Sequence, residues 1–120
     1  CAYEDNPQDE NHAPLKKAYS TLKNSYDQDG HPLQVVKLPM PSPVYFEGER
    51  LPASYANFLI CNSKVLVPTF SCPEDERALK ILQELFPKRK AVGIDARSLV
   101  IGYGSLHCLS QQLPLLQKPN

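Results

Sequence analysis

The sequence predicts an α/β fold assembled from repeated strand-helix-strand units. Two amphipathic helical stretches alternate with short apolar runs, and residues typical of turns separate them. The segments 6–10 (NPQDE) and 72–76 (CPEDE) echo each other, because each follows a strand-like run and opens one of the helices. An internal repeat of this kind favours an architecture made of copies of one α/β module.

The first unit is predicted to be strand, helix and strand. A strand end at 2–4 and a turn at 6–10 precede a helix that runs to about residue 26. Apolar side chains recur along this helix at spacings of three and four, which places them on one face. They are Leu15, Ala18, Tyr19, Leu22 and Tyr26. A strand follows at 34–38, and the three prolines within 39–43 predict an irregular connection.

The second unit is predicted to begin with a short strand near 44–46 and a turn at 47–49. The apolar runs 54–61 and 64–70 flank Asn62-Ser63, and this arrangement predicts a hairpin.

A second helix is predicted to run through Phe86. Ser71 and Glu74 have the spacing of a capping box, and Pro73 falls in the first turn. The apolar stripe of this helix must face a sheet, and it consists of Ala78, Leu79, Leu82, Leu85 and Phe86. Strands are predicted at 90–95 and 98–101.

Composition limits the function classes. The chain has 120 residues, enough for one domain, and a formal net charge of zero. The single basic cluster, 88–90, suits a helix end, so neither nucleic acid nor a membrane is an expected partner. No apolar run approaches the length of about 20 residues that crosses a bilayer, and a cytoplasmic protein is expected.

Because the chain begins with Cys1 on a strand-like segment, we expect that an upstream part has been removed.

The four cysteines predict neither a disulfide framework nor a metal site, because they lie far apart and lack a Cys-x-x-Cys pair. Cys61 lies in an apolar run, where a buried and inert thiol is expected. Cys72 precedes a helix start, where the positive end of the dipole can lower a thiol pKa. A structural role is still favoured for Cys72, because no base is near it in the sequence.

The run 102–112 (GYGSLHCLSQQ) concentrates the reactive residues. Two glycines allow unusual backbone conformations, and Cys108 follows where the chain is expected to become extended again. His107 adjoins the thiol, but neighbouring side chains on extended backbone face opposite ways, so an orienting or packing role is predicted. Asp95 ends a strand shortly before this loop, and a turn cap is favoured there. The other histidines, His12 and His31, are predicted to be solvated.

Six short motifs along the chain occur in the order known from one protein family. The runs LPMPSP (38–43), LPASYANF (51–58), VPTF (67–70), FP (86–87), VGID (92–95) and GSLHCLSQQ (104–112) occur in this order. Together they closely resemble the C-terminal part of agmatine deiminases, over essentially the whole chain. One departure is Tyr103, which stands where many members have consecutive glycines, so either Tyr103 is in an ordinary conformation or the loop path differs.

The resemblance implies the pentein fold, in which ββαβ-type modules surround a pseudo-fivefold axis. This chain then holds about two modules of an incomplete ring, assigned to 1–43 and 44–112 with a tail at 113–120. By similarity Cys108 attacks agmatine and forms an amidino-cysteine intermediate, giving N-carbamoylputrescine and ammonia for putrescine and polyamine synthesis. No metal or organic cofactor is needed. The general base and the guanidinium-binding carboxylates are expected upstream, and Asp95 and Gly104 are secondary candidates for substrate contacts.

Three alternatives stay open from the sequence. A peptidylarginine deiminase of the bacterial type uses the same chemistry. A catalytically silent assembly module would associate with the missing N-terminal modules or with itself, because a partial ring exposes apolar faces. A cysteine hydrolase of acyl substrates needs His107 as base, and the adjacency of His107 to Cys108 argues against it.

Overall fold

The structure is a computed structural model, and it describes residues 1–113. Its helices are α1 (His12–Lys23) and α2 (Glu74–Leu85). Its strands are β1 (Ala2–Tyr3), β2 (Leu38–Pro39), β3 (Tyr45–Phe46), β4 (Glu49–Arg50), β5 (Leu59–Ile60), β6 (Lys64–Thr69) and β7 (Lys90–Asp95). Short 3-10 helices lie at Tyr55–Asn57 and Val100–Gly102. The predicted α/β class is confirmed, and within residues 1–113 no helix has the length and apolarity of a membrane span.

The main sheet has the order β5-β6-β7. β5 pairs antiparallel with β6, which confirms the hairpin across Asn62-Ser63, and β6 pairs parallel with β7 along its whole length. α2 forms the crossover between these two parallel strands. Val65 and Val67 of β6 are fully buried while Lys64 and Leu66 are less so, as expected for a strand with one face against a helix, and Pro68 departs from this alternation because it is fully buried as well.

The first unit repeats this topology on a smaller scale. β1 and β2 pair in parallel, and α1 connects them. Tyr3 packs edge-on against Tyr19 at a centroid distance of 5.3 Å, and Lys37 Nζ lies 3.5 Å from the centre of the Tyr3 ring. The echo between 6–10 and 72–76 therefore corresponds to two units of one βαβ topology. The module boundaries at 1–43 and 44–112 stay a prediction, and 114–120 lie outside the described residues.

The core belongs mainly to the second unit. Ala78 and Leu82 of α2 are fully buried, whereas no residue of α1 is. The apolar stripe predicted for α2 is confirmed at its centre, but Leu85 at its end is 47% exposed. The buried cluster consists of Leu38, Leu51, Ala53, Tyr55, Val65, Val67, Phe70, Ala78, Leu82, Ala96 and Val100.

The start of α2 does not form the predicted capping box. Ser71 has a φ of 56°, whereas an N-cap residue that bonds with its side chain needs an extended backbone. The Asp75 carboxylate instead accepts hydrogen bonds from the N–H groups of Phe70 and Cys72, at 3.0 and 3.2 Å. It also accepts the Tyr55 hydroxyl at 2.6 Å. The carboxylate replaces the capping box because it reaches both N–H groups that precede the helix.

Three predicted strands differ from the structure. The strand at 98–101 is wrong, because the chain enters the 3-10 helix Val100–Gly102 after the buried Ala96. The strand at 34–38 is reduced to Leu38–Pro39, where β1 offers a partner. The strand at 54–61 begins only at Leu59, because the Ser54 hydroxyl accepts the Ala56 N–H and starts a 3-10 helix.

The first helix also ends earlier than predicted. Its last residue is Lys23, and the Asn24 N–H then bonds to the carbonyls of Ser20 and Thr21. Tyr26 lies beyond the helix and is 67% exposed, so it takes no part in an apolar helix face.

An ion pair connects the first unit to β4. Arg50 Nη1 lies 3.0 Å from Asp9 Oδ1, and both side chains are largely buried, at 16% and 11% exposed. The hydrogen bond from Arg50 lowers the pKa of Asp9 below its ordinary value of 3.8. A carboxylate whose pKa is lowered in the folded state stabilises the fold at pH values above its ordinary pKa. This contribution is lost as the pH falls through the lowered, folded-state pKa.

We predict that Arg50→Gln lowers the free energy of unfolding of the complete protein by about 1 kcal/mol at pH 7. The loss should shrink steadily below pH 4, because protonated Asp9 no longer attracts Arg50. Urea denaturation at pH 7, 5 and 3 measures it. Arg77→Gln is the control, since its pair with Asp5 is exposed and 3.9 Å long. An effect of Arg50→Gln that is independent of pH contradicts the assignment.

We predict that Asp75→Ala destabilises the complete protein by about 3 kcal/mol, because it leaves two backbone N–H groups and the Tyr55 hydroxyl without their acceptor. Glu76→Ala is the matched control, since Glu76 is exposed in the same helical turn. Chemical denaturation compares the two variants, and equal losses are incompatible with a capping role for Asp75.

Candidate active site

Cys108 lies in a tight turn at 106–109. The Leu109 N–H donates to the Ser105 carbonyl at 3.1 Å, and the Ser110 N–H donates to the His107 carbonyl at 3.0 Å. Among residues 1–113, Cys108 is the exposed cysteine, whereas the other three are half-buried. The extended backbone predicted here is therefore wrong. Because strand alternation does not apply to a turn, the orienting role of His107 stays a prediction.

Gly104 makes room for the thiol. A Cβ at this position would lie 2.8 Å from Cys108 Cβ and 3.3 Å from Sγ, closer than a side chain tolerates. The glycine is thus required by packing rather than by a left-handed backbone. A contact between Gly104 and substrate stays a prediction.

The left-handed residue of the loop is Tyr103, with a φ of 62°. A side chain at positive φ is uncommon, so this conformation has to be held by its surroundings. The Tyr103 hydroxyl donates to Glu49 Oε2 at 2.8 Å, and this contact raises the pKa of Tyr103. Of the two alternatives left by the sequence, an ordinary conformation for Tyr103 is wrong.

Asn57 holds the cysteine turn from 50 residues away. Its Nδ2 donates to Cys108 Sγ at 3.0 Å. Its Oδ1 accepts the N–H groups of His107 and Cys108 at 2.9 and 3.2 Å. The Asn57 backbone carbonyl accepts the His107 N–H as well. Sequence reasoning left Asn57 unassigned, because the contact depends on a 3-10 helix that the apolar pattern does not reveal.

Tyr55 anchors the 3-10 helix that presents Asn57. Its side chain is fully buried, packs edge-on against Phe70 at 5.6 Å and donates to Asp75. Burial, followed by the bond to Asp75, raises the pKa of Tyr55, so the phenol stays protonated and donating.

Asp95 forms a local turn. Its Oδ1 accepts the Arg97 N–H at 3.1 Å, and its Oδ2 lies 2.6 Å from Arg97 Nη2. These hydrogen bonds from Arg97 lower the pKa of Asp95 to about 2. The capping interaction predicted for this residue is therefore present. Its second predicted role, a contact with substrate, stays a prediction.

The remaining cysteines and histidines lie in different settings. Burial raises the pKa of Cys72, the opposite of the lowering that a helix dipole can produce, and the structural role favoured for this residue stays a prediction. Cys61 is half-buried rather than buried. His12 Nδ1 donates a hydrogen bond to the Glu4 carbonyl at 2.7 Å, and the residue is half-buried, in contrast to the solvated ring predicted. His31 is exposed, as predicted.

One cluster in the described part of the chain has the composition of a metal site. Asp27, Asp29 and His31 offer ligand atoms within 4.8 Å of one another, and all three are exposed. Asp27 Oδ1 already accepts the N–H groups of the other two residues, which is a turn-stabilising arrangement. The Asp-x-Asp-x-His spacing was the sequence signal for this cluster, and nothing beyond it indicates a ligand.

The thiol has no proton acceptor beside it within residues 1–113. Its side-chain hydrogen bond comes from Asn57, and no histidine or carboxylate of this range bonds to it. A cleft of about 460 Å³ runs along the proline-rich segment 40–44 and includes Tyr103, but Cys108 does not line it. The geometry thus presents an exposed thiol that one side chain, Asn57, contacts.

Known proteins resemble this chain in sequence. The agmatine deiminase of Pseudomonas fluorescens strain Pf-5 is 37% identical over 135 residues, covering 98% of this chain and 37% of that protein. That of Pseudomonas syringae pv. tomato is 37% identical over 131 residues, covering 94% and 36%. The chain therefore spans little more than a third of the length of these relatives.

Solved structures resemble it in fold. The agmatine deiminase of Enterococcus faecalis superposes with a TM-score of 0.88 at 32% identity, covering 95% of this chain and 36% of that one. The C. jejuni agmatine deiminase gives a TM-score of 0.78 at 37% identity, covering 89% and 32%. The match to deiminases of the pentein fold confirms the predicted fold class, and the partial coverage fits an incomplete set of modules.

The family profile extends over nearly the whole chain. It is described as Porphyromonas-type peptidyl-arginine deiminase and matches residues 1–114. The matched range contains the cysteine turn, Asn57 and both βαβ units. This chain belongs to the Porphyromonas-type peptidyl-arginine deiminase family.

Proposed function

We propose that this chain is the catalytic-cysteine portion of a guanidine hydrolase that converts agmatine and water to N-carbamoylputrescine and ammonia. The observation that carries the proposal is the exposed Cys108 sulfur, held at 3.0 Å by the Asn57 amide. The agmatine deiminases to which the chain is similar support this substrate. The activity belongs to the complete protein, and the product enters putrescine and polyamine synthesis.

The chemistry requires a thiolate, because a guanidinium is stabilised by resonance and resists direct attack by water. The Cys108 thiolate adds to the central guanidinium carbon. The bond to one amino group then breaks, and that group leaves as ammonia after taking up a proton. The remaining amidino-cysteine is attacked by water, the carbon–sulfur bond breaks, and the urea product leaves as the thiolate is restored. No step needs a metal or an organic cofactor.

The proton-transfer groups of this mechanism are assigned to other modules of the same enzyme. No histidine or carboxylate in the described range bonds to Cys108, whereas the chemistry needs an acid, a base and a clamp for the cation. The missing N-terminal modules are therefore the proposed partner.

An apolar groove of about 360 Å³ offers a surface for association with them or with a second copy. It is lined in part by Leu22, Leu33, Val36 and Leu85. A cytoplasmic location suits this metabolic role.

A second candidate substrate is a peptidyl-arginine, as the description of the matched family indicates. The same thiol chemistry serves both substrates, and the deciding residues are those that bind the rest of the substrate. Turnover of agmatine and of an arginyl peptide by the complete protein, compared as kcat/KM, decides between the two. Preference for the peptide would overturn agmatine as the substrate but not the role of Cys108.

We predict that Cys108→Ser lowers agmatine turnover by the complete protein at least a thousandfold, because a serine hydroxyl is a far weaker nucleophile. Mass spectrometry of acid-quenched wild-type enzyme should show an amidino adduct on Cys108 that the variant lacks. Cys61→Ser is the control and should keep turnover within about threefold. Full activity of Cys108→Ser would falsify the proposal.

We predict that a chain of residues 1–120 alone releases no measurable ammonia from agmatine, because the acid, base and clamp lie in other modules. Ammonia release is measured at equal molar concentrations of this chain and the complete protein. A rate near that of the complete protein contradicts the assignment of these groups. A complete protein that hydrolyses neither agmatine nor an arginyl peptide would instead favour a role in assembly only.

A further inference from the structure

A small pocket lies between the cysteine loop and the hairpin formed by β3 and β4. Its volume is about 280 Å³, and its lining residues are Phe46, Glu47, Glu49, Leu51, Ile101 and Tyr103. Three of the large side chains in this lining stay exposed, with Phe46 at 44%, Ile101 at 41% and Tyr103 at 64%. The pocket therefore combines exposed apolar and aromatic surface with two carboxylates.

The two carboxylates of this pocket have no cation beside them in the described part of the chain. None of the ion pairs within residues 1–113 includes Glu47 or Glu49. The adjacent cation, Arg50, is instead paired with Asp9 at 3.0 Å. The hydrogen bond that Glu49 accepts comes from the neutral hydroxyl of Tyr103, at 2.8 Å. A ligand cation is attracted to such a pocket, both by the negative charges and by the faces of the aromatic rings.

The pocket and the thiol are separated by one residue of the loop. Tyr103 directly precedes Gly104, and Gly104 lies so close to Cys108 that a Cβ on the glycine would be 3.3 Å from Sγ. The left-handed backbone of Tyr103, with a φ of 62°, is uncommon for a residue with a side chain. The loop thus keeps a bulky aromatic residue where glycine would be unstrained, and outliers of this kind concentrate at functional sites.

The ligand that suits both the thiol and the pocket is an aliphatic chain with a guanidinium at one end and an ammonium at the other. In an extended agmatine these two ends are about 7 Å apart, which is about two steps between consecutive Cα atoms. The apolar wall covers the methylene groups, and the carboxylates attract the ammonium. Arginine carries a carboxylate on the carbon next to that ammonium, and the same glutamates repel it.

We propose that Glu49 and Tyr103 bind the distal ammonium of the substrate, and that Glu47 adds negative charge to the same pocket. The inference rests on the proposed function for the guanidinium end of the substrate. It deepens that function, because it selects agmatine over peptidyl-arginine, whose main chain offers an amide in place of the ammonium. These residues determine specificity and take no part in the bonds that break and form at Cys108.

The test compares agmatine with n-butylguanidine, which has the same guanidinium and the same carbon chain but ends in a methyl group. Both are titrated by calorimetry into the complete protein with Cys108→Ser, so that binding is measured without turnover. We expect agmatine to bind about tenfold more tightly. Adding Glu49→Gln keeps the shape and an oxygen for the Tyr103 hydroxyl but removes the charge. This change should reduce the preference for agmatine about fivefold, while the affinity for n-butylguanidine changes by less than about twofold.

Two further variants make the result specific. Glu76→Gln removes a charge from the exposed face of α2 and should leave the preference for agmatine unchanged. Tyr103→Phe keeps the ring but removes the hydroxyl that contacts Glu49, so the preference should fall by a smaller amount, about twofold. Circular dichroism monitors folding of each variant. Glu47→Gln serves in place of Glu49→Gln if the latter fails to fold.

The outcomes separate this inference from the proposed function. Equal affinity of the Cys108→Ser protein for the two ligands overturns the inference, and so does a preference for agmatine that Glu49→Gln leaves intact. Either result leaves the proposed function standing if the wild-type protein hydrolyses agmatine. A wild-type protein that does not hydrolyse agmatine, combined with a preference that Glu49→Gln removes, refutes the proposed function and supports the inference.

Discussion

The site depends on the hydrogen bonds that the Asp75 carboxylate accepts. It accepts two backbone N–H groups at the junction of β6 and α2, together with the hydroxyl of the buried Tyr55. Partly buried donors and acceptors are thereby satisfied together, which joins the helix, the sheet and the 3-10 helix into one unit. Because Asn57 follows Tyr55 in that 3-10 helix, a contact near the core determines where the cysteine turn is held.

The cysteine turn shows how a sequence with two glycines can be misread. The glycine that matters for the thiol, Gly104, provides space rather than a left-handed backbone, and the left-handed position belongs to Tyr103. Uncommon backbone conformations of this kind persist where surrounding contacts hold them, and they concentrate near functional sites. Tyr103 is held here by the hydrogen bond from its hydroxyl to Glu49, and Asn57 holds the cysteine turn that follows.

The two βαβ units contribute unequally to the described structure. The second unit contains most of the core, the parallel pair β6-β7 and the residues that present Asn57. The first unit has a parallel pair of two residues per strand and a helix without a fully buried side chain. An open apolar groove beside both units is consistent with a ring whose other modules cover such faces in the complete protein.

The sequence by itself determined the α/β class, both helices and the hairpin, and it predicts Cys108 as the reactive residue. Helical periodicity, the Asn62-Ser63 turn and the ordered motifs carry this information locally. It did not reveal the Asp75 cap, the 3-10 helices or the role of Asn57. Only the tertiary structure decided these. The bonds of Tyr55 to Asp75 and of Asn57 to Cys108 join residues far apart in the chain, and the local bonds of Asp75 to Phe70 and Cys72 replace the capping box that the sequence pattern favours. Asn57 and Cys108 are separated by 51 positions, and the fold brings the 3-10 helix at 55–57 beside the cysteine turn.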